Sequence, residues 1–198
     1  MTGKKYLRSL WGLLAILMCA AIAHAQEAPT PDANNVSVKI KNFGQMDDRF
    51  YRGAQPDKKD YKDLAALGIK TIIDLREDPE SYEKPLVESL GMTYVNIPMI
   101  GKKYPTPEAT EAFLKTINDP ATGKFFVHCA GGRHRTGAMG AVYRFRFYDW
   151  DFDQVYKEMK QYDFYTRFGH KAFKEFVADY AKTHVNKKVS ADQTQTKP

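Results

Sequence analysis

Cysteine is almost missing from this chain: its 198 residues contain two, Cys19 and Cys129. Cys19 falls in an N-terminal segment that reads as a removable signal, which leaves one thiol in the body of the protein. A lone thiol excludes an internal disulfide framework and a cysteine-based zinc cluster. Long hydrophobic runs are also scarce. Leu10 to Ala23 is short for a bilayer-spanning helix, and no later segment is long and apolar enough to attempt it. Nor is there an excess of one charge. The formal net charge of +6 includes Lys4, Lys5 and Arg8; without them 27 basic residues face 24 acidic ones, a net of +3. That balance points neither to nucleic acid nor to an anionic membrane surface as partner. Gly-Lys-Ser and Gly-Lys-Thr are both absent, which excludes a nucleotide P-loop.

The basic start, the apolar run and the small-x-small pattern Ala23-His24-Ala25 together predict a signal peptide over residues 1–25, cut after Ala25. The expected location is therefore periplasmic or secreted, with no stable membrane span after cleavage. Residues 26–35, rich in Pro, Ala and Asn, read as a flexible leader. Residues 36–186 form the expected domain, long enough for one hydrophobic core. Residues 187–198 are polar without an apolar period and are expected to be a disordered tail.

Within the domain, short apolar runs alternate with helical patterns. Strands are expected at Val36 to Ile40, Phe50 to Gly53, Lys70 to Leu75, Thr93 to Ile97 and Lys124 to His128. Helices are expected at about Asp57 to Leu67, Ser81 to Leu90, from Pro107 behind a Thr106 cap, Thr136 to Asp149, from an Asp151 cap, and Phe168 to Thr183. Such alternation predicts an α/β fold with a central, mostly parallel sheet of about four to five strands and helices on both faces. Binding sites in these sheets lie beyond the carboxyl ends of the strands. That places the segment after His128 at the active end.

There the chain reads His128-Cys129-Ala130-Gly131-Gly132-Arg133-His134-Arg135-Thr136-Gly137, from strand to helix. Ala130, Gly131 and Gly132 allow a tight turn whose N–H groups converge on a tetrahedral anion. The following helix start aims its free N–H groups at the same point. Arg135 can grip two phosphate oxygens with its planar fork, and Arg133 and His134 add basic character. In that field Cys129 is expected as a thiolate, a nucleophile beneath a bound phosphate.

This Cys-x5-Arg-Thr spacing, with His before the Cys, resembles the signature of the cysteine-based protein tyrosine and dual-specificity phosphatases. Tyr51-Arg52-Gly53-Ala54-Gln55-Pro56 and Ile69 to Arg76 look like the opening strands of their bacterial and atypical dual-specificity members. The resemblance implies a metal-independent, cofactor-free, two-step hydrolysis. Cys129 attacks phosphorus, Arg135 stabilises the equatorial oxygens, and Thr136 assists hydrolysis of the phosphocysteine. It also implies an aspartate general acid in the stretch Ile97 to Tyr104, which contains no acid. Asp78, Glu108, His134 and Asp163 are the candidates in its place. Asp119 precedes the last strand and belongs at its far end.

Arg133 and His134 stand where plant and fungal atypical relatives, which act on inositol pyrophosphates, carry Lys-His. The expected substrate is accordingly a phosphotyrosyl protein or an inositol phosphate or phosphoinositide. Two other readings of the same loop are a phosphate-binding module without turnover and a rhodanese-type sulfurtransferase.

Overall fold

A computed structural model of the protein describes residues 37–195, with side chains described through Thr183. The expected signal, 1–25, and leader, 26–35, lie outside the described residues. Five strands build one sheet: β1 (Gly44–Gln45), β2 (Phe50–Ala54), β3 (Thr71–Arg76), β4 (Thr93–Met99) and β5 (Phe125–Cys129). The helices are α1 (Asp60–Ala66), α2 (Glu83–Ser89), α3 (Pro107–Asn118), α4 (His134–Phe147), α5 (Phe152–Gln161) and α6 (Lys171–Gln195). The strand order is β1-β2-β5-β3-β4, parallel except for β1, which pairs antiparallel with β2. The expected α/β architecture is the observed one.

Side chains alternate across the sheet, as the two-residue period of a strand requires. From β3 and β5, Ile73, Leu75, Phe125, Val127 and Cys129 join the core formed with α3 to α6. Ile72 and Phe126 join a second core with α1 and α2. The central strands are therefore apolar on both faces, as strands of a covered parallel sheet must be. The same alternation sends Cys129 to one face and His128 to the other. Thr106 caps α3 by accepting from Ala109 N, with Pro107 at its first position. Asp151 and Gln154 close a capping box on α5.

Two expectations need correction. The segment 37–40 forms no strand; Val38 and Ile40 owe their alternation to packing on the second core, and the first strand is Gly44–Gln45. Helix α6 runs to Gln195, through much of the segment expected to be a disordered tail. No glycine or proline interrupts Lys171 to Gln195, and its lysines, alanines and glutamines are good helix formers. No helix of the described residues is long and apolar enough to cross a membrane.

Candidate active site

The carboxyl ends of β2, β3, β4 and β5 meet at one edge, and the loop between β5 and α4 crosses it. A cavity of about 130 Å³ opens there, walled by Cys129, Ala130, Gly131, Arg133, Arg135 and their neighbours. Of the residues expected to hold phosphate, Ala130, Gly131, Arg133, His134 and Arg135 share this space with Cys129. Gly132 sits behind the wall at φ +63°, where a Cβ would lie 2.4 Å from the Gly53 carbonyl carbon and 2.5 Å from Ala54 N. Only glycine allows loop and strand to approach this closely.

Two side chains unnoticed in the sequence set the loop's orientation. Asn42 Nδ2 donates to Gly131 O at 2.8 Å, and Arg52 Nη2 donates to Gly132 O at 2.7 Å. Because each peptide is planar and trans, fixing these two carbonyls outward turns the N–H groups of Gly132 and Arg133 to the opposite side. Arg52 is 1% exposed and its guanidinium lies 3.9 Å from the centre of the Tyr162 ring. Burial lowers its pKa to about 10, so it remains a cation at neutral pH. An arginine inside the apolar run Phe50 to Ala54 was the available signal for it; nothing marked Asn42.

Arg135 is braced from the sheet. Its Nη1 donates to Met99 O at 3.1 Å and, at the limit, to Leu75 O at 3.5 Å. These carbonyls belong to the ends of β3 and β4, where the register slips between Asp74 and Arg76. Pro98 has no N–H to offer the ladder at that point.

Cys129 is 3% exposed. Burial opposes its ionisation, but the Thr136 hydroxyl, the Arg135 charge and the backbone N–H groups of Thr136 and Gly131 prevail, and the thiol is held below its ordinary range. Thr136 is fully buried, and its hydroxyl has no conventional hydrogen-bond partner. Of the groups that lower the Cys129 pKa against burial, this hydroxyl has the largest effect.

Behind the nucleophile, on the other face of the sheet, His128, Asp74 and Glu83 are wholly buried. His128 Nε2 lies 2.7 Å from Glu83 Oε1, and Nδ1 lies 3.8 Å from Asp74 Oδ1. Tyr94 donates to Asp74 and Gln55 donates to Glu83. Against the opposing effect of burial, this close pairing with His128 holds the Glu83 carboxyl below its ordinary range. The three donors could group around a cation, but ligands of one tetrahedral ion stand about 3.3 Å apart, wider than this pair. Glu83 was not anticipated, because α2 contributes it from far along the chain.

His134 is 7% exposed. Its Nε2 donates to Tyr165 O at 3.0 Å, which leaves Nδ1 as the unprotonated nitrogen. Burial, then the charge of His170, lowers its pKa to about 4, so it is neutral at physiological pH and adds no positive charge. His170, from the turn before α6, stacks on it at 3.6 Å and 4° and shares the cavity wall. Nothing in the linear chain marks this second histidine.

The three acidic candidates, Asp78, Glu108 and Asp163, do not line the cavity. Asp78 is exposed on the loop after β3; its hydrogen bond and ion pair with Arg76, at 3.4 Å, hold its carboxyl below the usual range. Glu108 is exposed on the first turn of α3, and Asp163 is exposed in the turn after α5. Asp119 caps the 3₁₀ turn Pro120–Thr122 at the amino end of β5, the far end of the sheet.

The profile of the family described as "DSP-PTPase phosphatase fused to NAD+ Kinase" matches residues 26–179. "Putative tyrosine-protein phosphatase OCA1" of Mycosarcoma maydis is 29% identical over 128 residues, covering 61% of this chain and 79% of that protein. Inositol diphosphatase DSP5 of Arabidopsis thaliana is 27% identical over 139 residues, covering 66% of this chain and 67% of that protein. The core catalytic domain of the PP-IP phosphatase SIW14 from S. cerevisiae superposes with a TM-score of 0.63 at 20% identity, over 79% of this chain and 96% of the other, a likeness of fold. The chain belongs to the cysteine-based phosphatases of the dual-specificity type, in the family described as DSP-PTPase fused to NAD+ kinase.

Proposed function

We propose that the protein hydrolyses phosphomonoesters through a phosphocysteine on Cys129, with Arg135 clamping the equatorial oxygens and Thr136 stabilising the sulfur as it leaves. The single observation that carries this reading is the thiol of Cys129, depressed in pKa at the base of a cavity whose loop N–H groups converge on it. A tetrahedral dianion in that cradle has an in-line nucleophile beneath it and a bidentate cation beside it. The reaction as written calls on no metal ion.

The cavity wall supports one substrate class over another. Lys102, Arg133 and Arg135 contribute positive charge and no carboxylate of the described residues lines the cavity, which favours a ligand carrying more than one phosphate. An inositol polyphosphate fits that excess of cations, and the name of the Arabidopsis relative agrees. Phosphotyrosine is the rival, in keeping with the name of the Mycosarcoma relative.

The test is phosphate release by the purified protein with EDTA present, from p-nitrophenyl phosphate, a phosphotyrosyl peptide, a phosphoinositide and inositol hexakisphosphate. Cys129→Ser is the control. Release that vanishes in the variant supports the phosphocysteine route. Tight ligand binding without release supports the binding module, and a persulfide on Cys129 after thiosulfate supports the sulfurtransferase.

We propose further that this chemistry takes place outside the cytoplasm, on the strength of the Lys4 to Ala25 pattern. N-terminal sequencing of the protein recovered from fractionated cells checks it: the expected first residue is Gln26, and an uncut Met1 in the cytoplasmic fraction refutes it.

A further inference from the structure

Among the described residues no carboxylate lines the cavity, yet the leaving oxygen of a phosphomonoester needs a proton. We infer that His170 supplies it. This rests on the phosphatase reading above and adds a residue to it.

The placement begins in the backbone. Phe168 and Gly169 have φ of +58° and +88°, so the chain reverses just before α6 and delivers His170 to the cavity wall. Lys102 from the β4–α3 loop, itself at φ +68°, packs its aliphatic stem against Gly169. The His170 ring lies flat on His134 at 3.6 Å, with the Tyr165 ring edge-on at 5.3 Å and 86°. Its Nδ1 is buried and has no hydrogen-bond partner among the described residues.

The two stacked histidines are not equivalent. His134 commits its proton to the Tyr165 carbonyl, so the nitrogen it has left can only accept. Two imidazolium rings cannot share a 3.6 Å stack without strong repulsion. A neutral His134 therefore leaves room for one charge, on His170. The charged groups facing His170 are Lys102, Arg133 and Arg135, and after burial they are what lower its pKa in the free protein. A bound phosphate dianion offsets those cations and draws a proton onto His170 where it is needed.

The steps balance. The Cys129 thiolate forms the S–P bond as the P–O bond to the leaving group breaks, and the departing oxygen takes the proton of the His170 imidazolium. Water then attacks phosphorus, gives a proton to neutral His170, and the S–P bond breaks to return the thiolate. Free phosphate leaves and the imidazolium is regenerated.

The experiment compares kcat/KM for a series of aryl phosphates, from p-nitrophenyl to unsubstituted phenyl phosphate, in wild type, His170→Asn and His170→Phe. The Phe variant keeps the ring stack, and melting curves identify any variant that has not folded. Loss of a general acid costs on the order of 10²-fold or more. That loss is expected for phenyl phosphate, with little change for p-nitrophenyl phosphate, whose leaving group needs little protonation. The alkaline limb of the pH profile should disappear as well. Equal loss across the series, or no loss, overturns the assignment, as does the same graded loss in Lys102→Met with His170→Asn unaffected. Absence of release by wild type from every substrate would instead sink the phosphatase reading itself, and the two failures are therefore distinct.

Discussion

Arg52 on β2 donates 2.7 Å to the carbonyl of Gly132, 80 residues away, from a position with almost no solvent exposure. A buried cation is thus spent on the outside of the phosphate loop, facing away from the anion the loop is shaped to hold. Replacing it tests whether the loop's orientation is inherited from β2. Arg52→Met keeps much of the volume and removes the donor. Losing a charged hydrogen bond to a buried carbonyl costs about 2–3 kcal/mol. Urea denaturation should show that loss, and phosphate release should fall further than stability alone explains. Full activity in the folded variant would remove Arg52 from the positioning scheme.

Thr136 is expected to act on the sulfur alone. In Thr136→Val the hydroxyl disappears and the methyl groups fill its place, so the Cys129 pKa rises. The rate of alkylation by iodoacetamide, followed against pH, should have its midpoint shifted upward in Thr136→Val and restored in Thr136→Ser. An unshifted profile would mean that Arg135 and the loop N–H groups suffice.

Glu83 and His128 form a buried pair, and removing one partner strands the other. Glu83→Ala should destabilise the fold by about 3–5 kcal/mol. In the wild type, burial opposes ionisation of Glu83, but His128 and Gln55 hold its carboxyl below its unfolded value of 4.5. A depressed acid contributes stability above the unfolded value and loses it as pH falls through the folded one. Acid denaturation below pH 4.5 should accordingly be steeper in wild type than in Glu83→Gln.

His134 gives a separate pH signature. Its folded pKa of about 4 lies below the ordinary 6.5, mainly through burial, so the unfolded chain binds more protons between those values. Stability should rise with pH over that window and level off above it. Chemical denaturation at pH 4, 5, 6 and 7 measures the slope. His134→Phe, which preserves the stack on His170, should flatten it; an unchanged slope would assign it to other groups, His170 first.

Much of this arrangement is legible in the linear chain because it is local. The spacing from Cys129 to Thr136 spells out strand end, glycine turn and helix start within eight residues, and α3 and α5 announce themselves by their caps. What escaped is built by register and by distant loops. Asn42 and Arg52 reach the loop because β2 pairs with β5, placing Gly53 beside His128 and Ala54 beside Cys129. His170 depends on two left-handed residues before α6, a conformation that Phe168 gives no reason to expect. The Val36 to Ile40 strand failed for the converse reason: two alternating apolar residues are enough to pack, without a partner strand to pair with.

The position of β5 has a consequence for how the chain assembles. It lies between β2 and β3, although it follows both in sequence by some 50 residues or more. Until residues 125–129 are in place, β2 with β1 and β3 with β4 are two fragments, each presenting an unpaired edge toward the gap. Closing that gap joins partners such as Tyr51 and Phe126, far apart along the chain, which makes for high contact order and slow folding. The strand that seals the sheet is also the one that ends in Cys129. The nucleophile therefore acquires its surroundings only once β5 has paired with both β2 and β3.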